Sequence, residues 1–168
     1  MKKDKKRFLT ILFIVVLLMV AGAGFYFFNN SSTKSNGLQV YFLKGDKPFP
    51  VRRPLDPGKE KVQEAAAQLM SGPSKEEKDK GIFSGMPARA RIIEVKKQDS
   101  TVYVNFNQAL EDYGGGAANV QALVGQIVYT FTDIPGVEKV KILVEGRGEV
   151  VLGGEGLVID QPLSRSDL

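Results

Sequence analysis

Acid–base chemistry in this sequence would rest on carboxylates, Lys, Tyr or Ser, because its 168 residues include neither His nor Cys. His is the usual general base near neutral pH and the commonest metal ligand. Two carboxylates can serve as the acid and base of a glycan hydrolase. The candidate pairs are Glu111 and Asp112 with Asp133, or Glu145 with Glu149. None of these acids lies within an aromatic sugar-binding cluster, and the chain has no Trp. We therefore predict that the protein is not an enzyme and has no catalytic, cofactor-binding or metal site.

Three glycines, Gly114 to Gly116, precede an expected helix, which is the setting of a phosphate-binding loop. No Lys-Ser or Lys-Thr follows them, so the P-loop pattern is absent. The glycines at 146–148 and 153–156 lack the third glycine and the helix of a dinucleotide site. These segments predict turns and a lead into a helix capped by Asn119, and no cofactor is expected.

The formal net charge of +4 is concentrated at the N-terminus. Five of the 23 basic residues and one of the 19 acidic residues fall within residues 2–7, which leaves 18 of each sign in the rest of the chain. A nucleic-acid surface needs Lys and Arg concentrated on the folded part. The charge distribution therefore argues against nucleic acid as a partner.

An apolar run from Phe8 to Phe28 contains no charged residue and would span about 31 Å as a helix, the thickness of a bilayer core. The basic residues 1–7 before it predict a cytoplasmic N-terminus by the positive-inside rule. We expect a single-pass, uncleaved transmembrane helix at 8–28, a polar linker at 29–36 and an extracytoplasmic domain at 37–165, followed by a tail at 166–168. The alternative is a cleaved signal peptide, for which Ala21-Gly22-Ala23 offers small residues.

Hydrophobic periodicity predicts the elements of that domain. Two helices have apolar residues on one side, the first capped by Asp56 with Pro57 at its first position and the second running from Val120 to Phe131. Period-two alternation predicts strands at 38–43, 91–97, 101–106 and 139–144, a short extended piece at 51–53, and short strands at 150–152 and 157–159.

The order β-α-β-β-α-β predicts an α+β fold with two helices packed on one face of a three- to four-stranded sheet. The other face would be less apolar and open to water or a partner. It would carry Glu94, Lys96, Tyr103, Asn105, Lys139 and Lys141.

Several segments together resemble the GerMN domain family of sporulation and spore germination proteins. They are 66–73, Glu77, 81–87, 93–95, 102–106, 122–132, 137–146 and 162–165. The resemblance covers about residues 37 to 165. It implies a domain outside the membrane, similar to ring-building-motif domains, that acts as a scaffold and has no chemistry of its own.

The segment from Leu69 to Pro87 is the longest connection in the domain and carries six charged residues of balanced sign. Gly72-Pro73 would end the first helix, and Gly81 and Pro87 would direct the chain into the hairpin. We interpret it mainly as a joint, with docking of a partner as the alternative.

The functional prediction is a membrane-anchored, non-catalytic scaffold or protein-interaction module in sporulation or spore germination envelope assembly. Its partner would be an extracytoplasmic protein, in a homo- or hetero-oligomeric ring. Arg is favoured at interfaces and flanks the expected strands, although solubilising charge is the alternative. The candidate contact residues are Arg52, Arg53, Arg89 and Arg91.

A second hypothesis is a binding module for cell-wall polymer or a small ligand at the cell surface. Its stacking surface would be formed by Tyr41, Phe42, Tyr103 and Tyr113.

Overall fold

A computed structural model describes residues 37–56, 58–112, 116–153 and 157–168. The predicted cytoplasmic segment, transmembrane helix and linker, together with Tyr113, lie outside these residues. Among the helices that the structure describes, none combines the length and the apolar character needed to span a membrane.

The first sheet is built on a hairpin. Strands β1 (Gly37–Lys44) and β2 (Lys47–Pro54) run antiparallel and are joined by a two-residue turn, where Gly45 has a φ of 65°. Strand β3 (Ile82–Phe83) pairs with the other side of β1, so the order is β2-β1-β3. The expected strand at 38–43 is confirmed, and the expected extended piece at 51–53 is part of a full strand.

The second sheet has the order β4-β5-β6. Strands β4 (Ile92–Gln98) and β5 (Thr101–Phe106) form the expected hairpin, and β6 (Lys139–Val144) lies parallel to β5. The two short strands at the end of the chain are also confirmed: β7 (Val150–Leu152) and β8 (Leu157–Ile159) pair with each other.

Three α-helices are described: α1 (Lys61–Ser71), α2 (Lys75–Asp79) and α3 (Ala117–Thr132). The expected cap of α1 by Asp56 is wrong, because the helix begins four residues after Pro57 and its N-cap is Glu60. The Asp56 carboxylate instead accepts a hydrogen bond of 3.1 Å from the Gly58 amide, which closes a local turn. The N-cap of α3 is Gly116, not Asn119.

Both long helices contact both three-stranded sheets. Helix α1 packs against β1 and β4, whereas α3 packs against β1, β2 and β6. Buried residues occupy most of the circumference of α3, so the expectation that this helix packs by one side only is wrong, because α3 is covered by both sheets. The α+β fold is confirmed, but the expectation of one sheet is wrong, because β1 belongs to a separate sheet. One hydrophobic core joins the sheets and helices.

The outer face of the second sheet is polar, as expected. Cross-strand register places Lys96, Tyr103 and Lys141 in one row and Glu94 and Asn105 in the next. The Lys141 ammonium donates a hydrogen bond of 2.6 Å to the Gly148 carbonyl, so the turn after β6 folds over part of this face.

Candidate functional site

The connection between α1 and β4 is an ordered structure with its own cap. Gly72 ends α1 with a φ of 74°, a conformation that favours glycine. Ser74 and Glu77 then form a capping box: the Glu77 amide donates to Ser74 Oγ at 3.3 Å, and the Ser74 amide donates to Glu77 Oε2 at 2.7 Å. These bonds start α2 inside the charged part of the connection.

Arg53 holds this short helix against the first sheet. Its guanidinium donates to Glu77 Oε1 at 2.5 Å and to Oε2 at 2.6 Å, and it lies 5.5 Å from the centre of the Phe42 ring. The hydrogen bonds from Arg53 are the main reason that the pKa of Glu77 falls from 4.5 to about 2, although burial opposes the shift. With only 14% of its side chain exposed, Arg53 stabilises the fold and has little surface left for a partner.

The end of the connection is fixed to α3 by buried polar side chains. Gln126 Oε1 accepts a hydrogen bond of 2.7 Å from the Gly85 amide, and Gln126 Nε2 donates to Ser84 Oγ at 3.1 Å. One turn further along α3, Thr130 Oγ1 accepts a bond of 2.9 Å from the Tyr41 amide of β1. Gln126 and Thr130 are fully buried, so these bonds determine where the loop and the strand pack. The contacts agree with the interpretation of the connection as a joint.

The other three candidate arginines lie on the surface in two places. Arg52 is exposed on β2, next to Arg53. Arg89 and Arg91 precede β4, where Arg89 pairs with Asp112 at 3.2 Å and Arg91 donates to the carbonyls of Ala88 and Ala90 at 3.0 and 2.6 Å. The four residues therefore divide between the two sheets, and three of them remain available as contact residues.

The carboxylates considered for hydrolysis bind separate partners. Glu111 pairs with Arg147 at 2.8 Å, and Asp112 with Arg89 as above. Asp133 pairs with Arg165 at 3.2 Å, and the Glu145 carboxylate accepts a bond of 3.0 Å from the Gln108 amide. In the part of the chain that the structure describes, no group of three or more acidic residues is placed to hold a metal ion.

Two of the four residues proposed for stacking, Tyr41 and Phe42, are buried, whereas Tyr103 is half-buried on β5 and Tyr113 lies outside the described residues. Tyr41 is only 8% exposed and Phe42 is fully buried, so neither ring is free to stack on a sugar. Burial, followed by the nearby Asp133 charge, raises the pKa of Tyr41. Its ring instead faces Arg165, whose guanidinium lies 5.5 Å from the Tyr41 centroid and 4.8 Å from that of Tyr129.

Arg165 is a structural residue that the sequence did not reveal except as part of the family resemblance. Its guanidinium donates to Thr132 Oγ1 at 2.8 Å and to the Tyr129 carbonyl at 3.2 Å, both in the last turn of α3. A cation at the C-terminal end of a helix is favoured by the helix dipole. Arg165 thus fixes the C-terminal segment to α3.

The two three-stranded sheets have four edge strands, and the chemistry of two of them, β2 and β4, differs. Opposite residues in an antiparallel pair alternate between mutual hydrogen bonding and outward-facing backbone groups. Lys44 and Lys47 close the two-residue turn, so the outward-facing positions of β2 are residues 48, 50, 52 and 54, of which three are proline. Proline has no N–H, and the outer edge of β2 is therefore closed to another strand.

The edge of β4 contains no proline. Gln98 and Thr101 close its hairpin, and alternation then directs the backbone groups of Val95 and Lys97 outward. A β-bulge at Ile93 interrupts the pairing near the start of the strand. Within the described ranges, no strand pairs with this edge. On β6, by contrast, Val140 exchanges two hydrogen bonds of 2.8 Å with Leu163.

An apolar cavity of about 520 Å³ lies between the first turns of α3 and the β7–β8 hairpin. Its walls include Val120, Val124, Leu152 and Leu163. Residues 154–156, which connect the lining residues Gly153 and Leu157, lie outside the described residues.

Comparisons with known proteins agree with the fold. A model of the family Germane, described as sporulation and spore germination, matches residues 25–149. The tandem GerMN domains of the sporulation protein GerM from Bacillus subtilis are similar in structure, with a TM-score of 0.59 and 26% identity over 77% of this chain. This chain covers 44% of that structure, less than half its length.

Two further solved structures show the same fold. A putative lipoprotein from Clostridium perfringens has a TM-score of 0.57 and 23% identity, with 78% of this chain and 88% of that chain covered. The first GerMN domain of GerM from Bacillus subtilis has a TM-score of 0.59 and 21% identity, with 78% and 98% covered. The search of curated proteins found no match.

Proposed function

The chain belongs to the sporulation and spore germination family Germane, and from this membership we propose that it is a non-catalytic scaffold of the cell envelope. In this proposal the apolar segment at 8–28 anchors the protein in the membrane and the domain at 37–165 lies outside the cell. There it binds another extracytoplasmic protein during assembly of the sporulation or germination envelope.

The observation that carries the proposal is the state of the candidate acids. A glycan hydrolase needs two carboxyl groups that flank one bond, with one of them free to donate a proton. Glu111, Asp112 and Asp133 instead each bind a different arginine. With the acids occupied in this way, binding is a better-supported activity than hydrolysis.

The contact residues proposed for this binding are Arg52, Arg89 and Arg91. Arg89 has 82% of its side chain accessible to solvent, and its pair with Asp112 is therefore weak. A guanidinium in this position can exchange a surface carboxylate for one on a partner at little cost. Arg53 is left out because Glu77 already occupies its guanidinium.

In-cell crosslinking of the full-length protein during sporulation or germination tests the binding. We expect a protein partner whose yield falls in Arg52→Glu and Arg89→Glu variants but not in Lys80→Glu, a matched change at an exposed residue of the α1–β4 connection. Equal yields from all variants would remove these arginines from the interface. Release of product from peptidoglycan, abolished by Glu111→Gln, would overturn the non-catalytic proposal itself.

A further inference from the structure

The outer edge of β4 has the features of a strand that can accept another strand. Val95 and Lys97 direct their N–H and C=O groups away from β5, as the register shows. Such groups form a template for pairing with a second chain, and proteins usually block them. The prolines of β2 are a block of this kind, and β4 has none.

Charged side chains flank this edge on its exposed face. Glu94 Oε1 lies 2.7 Å from Lys96 Nζ, and the two side chains are 52% and 60% exposed. They belong to the same strand and are two residues apart, so both lie on one face. An acid and a base in this arrangement are self-complementary when the strand meets a copy of itself in the antiparallel direction.

The charges select one register among those that the backbone allows. In an antiparallel pair of β4 strands, each outward-facing residue must lie opposite another outward-facing residue. The pair is therefore centred on residue 94, 95, 96 or 97, which means that this residue lies opposite its own copy. Centring on 94 opposes two glutamates, and centring on 96 or 97 opposes two lysines. Like charges directly opposite each other are destabilising. Only centring on Val95 places Glu94 opposite Lys96 in both directions.

We propose that β4 binds β4 of a second copy of this chain, antiparallel and centred on Val95, to form one six-stranded sheet across the two copies. The proposal rests on the proposed function as a binding module and names one of its partners. The contact is two-fold symmetric and closed, because the same strand is used on both sides. The bulge at Ile93 limits the ladder to a few residues, so the association is weak, at the low end of interface sizes.

The absence of Cys from the chain permits a specific test in the full-length protein. In Val95→Cys, the introduced thiol is the only one, and it pairs with its counterpart at a Cα separation of about 5.5 Å, within the range for a disulfide. Lys47→Cys is the matched control, because Lys47 is exposed on β2, whose outer edge is closed by proline, and is not among the proposed contact residues. Mild oxidation should form dimers of the first variant and leave the second monomeric.

Charge exchange in the Val95→Cys variant distinguishes disulfides formed by specific strand pairing from disulfides formed by random encounters. Lys96→Glu places acid opposite acid in both rows and should slow crosslinking roughly tenfold. Adding Glu94→Lys reverses both charges, restores the complementarity and should restore the rate. Both side chains are more than half exposed, so the thermal unfolding midpoint should change little and serves as the folding check.

Equal crosslinking at positions 95 and 47, or a double exchange that fails to restore the rate, overturns the second copy as the partner. A disulfide between the Val95→Cys variant and a different protein also overturns the second copy as the partner. Either result leaves the proposed function standing if the arginine variants still lose a partner in cells. Conversely, if the arginine variants do not lose a partner in cells but dimers still form, the proposed arginine contacts fail and the pairing of β4 strands stands.

Discussion

Replacement of Glu77 by glutamine tests whether the pair with Arg53 stabilises the fold. The shift in the pKa of Glu77 from 4.5 to about 2 corresponds to about 3.4 kcal/mol at roughly 1.36 kcal/mol for each pH unit. Screening by solvent reduces this value, and about 1–2 kcal/mol is the expected loss at pH 7. The side-chain oxygen of the introduced glutamine would still accept the hydrogen bond from the Ser74 amide, so the capping box remains.

The stabilisation that Glu77 provides depends on pH. Because folding lowers the pKa of Glu77, its stabilisation is fully present above the unfolded pKa of 4.5 and is lost as the pH falls to about 2. Glu77→Gln has no such titration. The difference in unfolding free energy between wild type and variant should therefore be constant from pH 7 to about 5 and close as the pH approaches 2.

Urea unfolding of both proteins between pH 7 and pH 2 measures this difference, and thermal melts at pH 7 should differ by roughly 3–8 °C. Glu76→Gln is the matched control, because Glu76 is an exposed neighbour on the same helix. A difference that persists unchanged to pH 2, or an equal effect of Glu76→Gln, would refute the assignment of the shift to the Arg53 pair.

Three further substitutions test the packing around α3 by chemical unfolding. Gly85→Ala should cost about 1–3 kcal/mol, because its Cβ would lie 2.8 Å from Leu43 Cδ1; an unchanged midpoint would show that the loop adjusts freely. Gln126→Leu should cost about 1–3 kcal/mol by leaving the buried Gly85 amide without an acceptor, and a stability equal to wild type would show that this bond contributes nothing. Arg165→Met should cost about 1–2 kcal/mol through lost contacts to α3, and a stability equal to wild type would show that those contacts contribute nothing.

Local periodicity was sufficient to predict the elements of the second sheet and the burial of the apolar stripe of α3. The predicted apolar positions of α3, such as Leu123, Ile127 and Phe131, are fully buried. The β4–β5 hairpin and the short strands at 150–152 and 157–159 are also where alternation placed them. These features depend on neighbours within a few residues, which a sequence pattern records directly.

The division into two sheets depends on pairings between distant segments. Strand β2 was only partly predicted, because prolines at 48, 50 and 54 are unusual in strands. Their spacing of two is nevertheless the pattern of an edge strand, whose outward-facing positions need no N–H. Strand β3, two residues long, and the Arg53–Glu77 pair, 24 residues apart in sequence, have no local signal. The candidate acids gave no clear site in the sequence, and the structure pairs Glu111, Asp112 and Asp133 each with a different arginine.

The outer edges of β2 and β4 are protected differently, and this difference indicates a binding role for β4. An edge that must only resist aggregation is best protected by proline, as on β2, or by side chains of one charge, which repel any copy. On β4, however, Glu94 neutralises Lys96, and the repulsion between copies is removed in one register and kept in the neighbouring ones. Because the same exposed ion pair contributes little to the stability of a single chain, its main physical effect is on which strand can approach. That effect should weaken as added salt screens the charges, and the register preference of the crosslink should weaken with it.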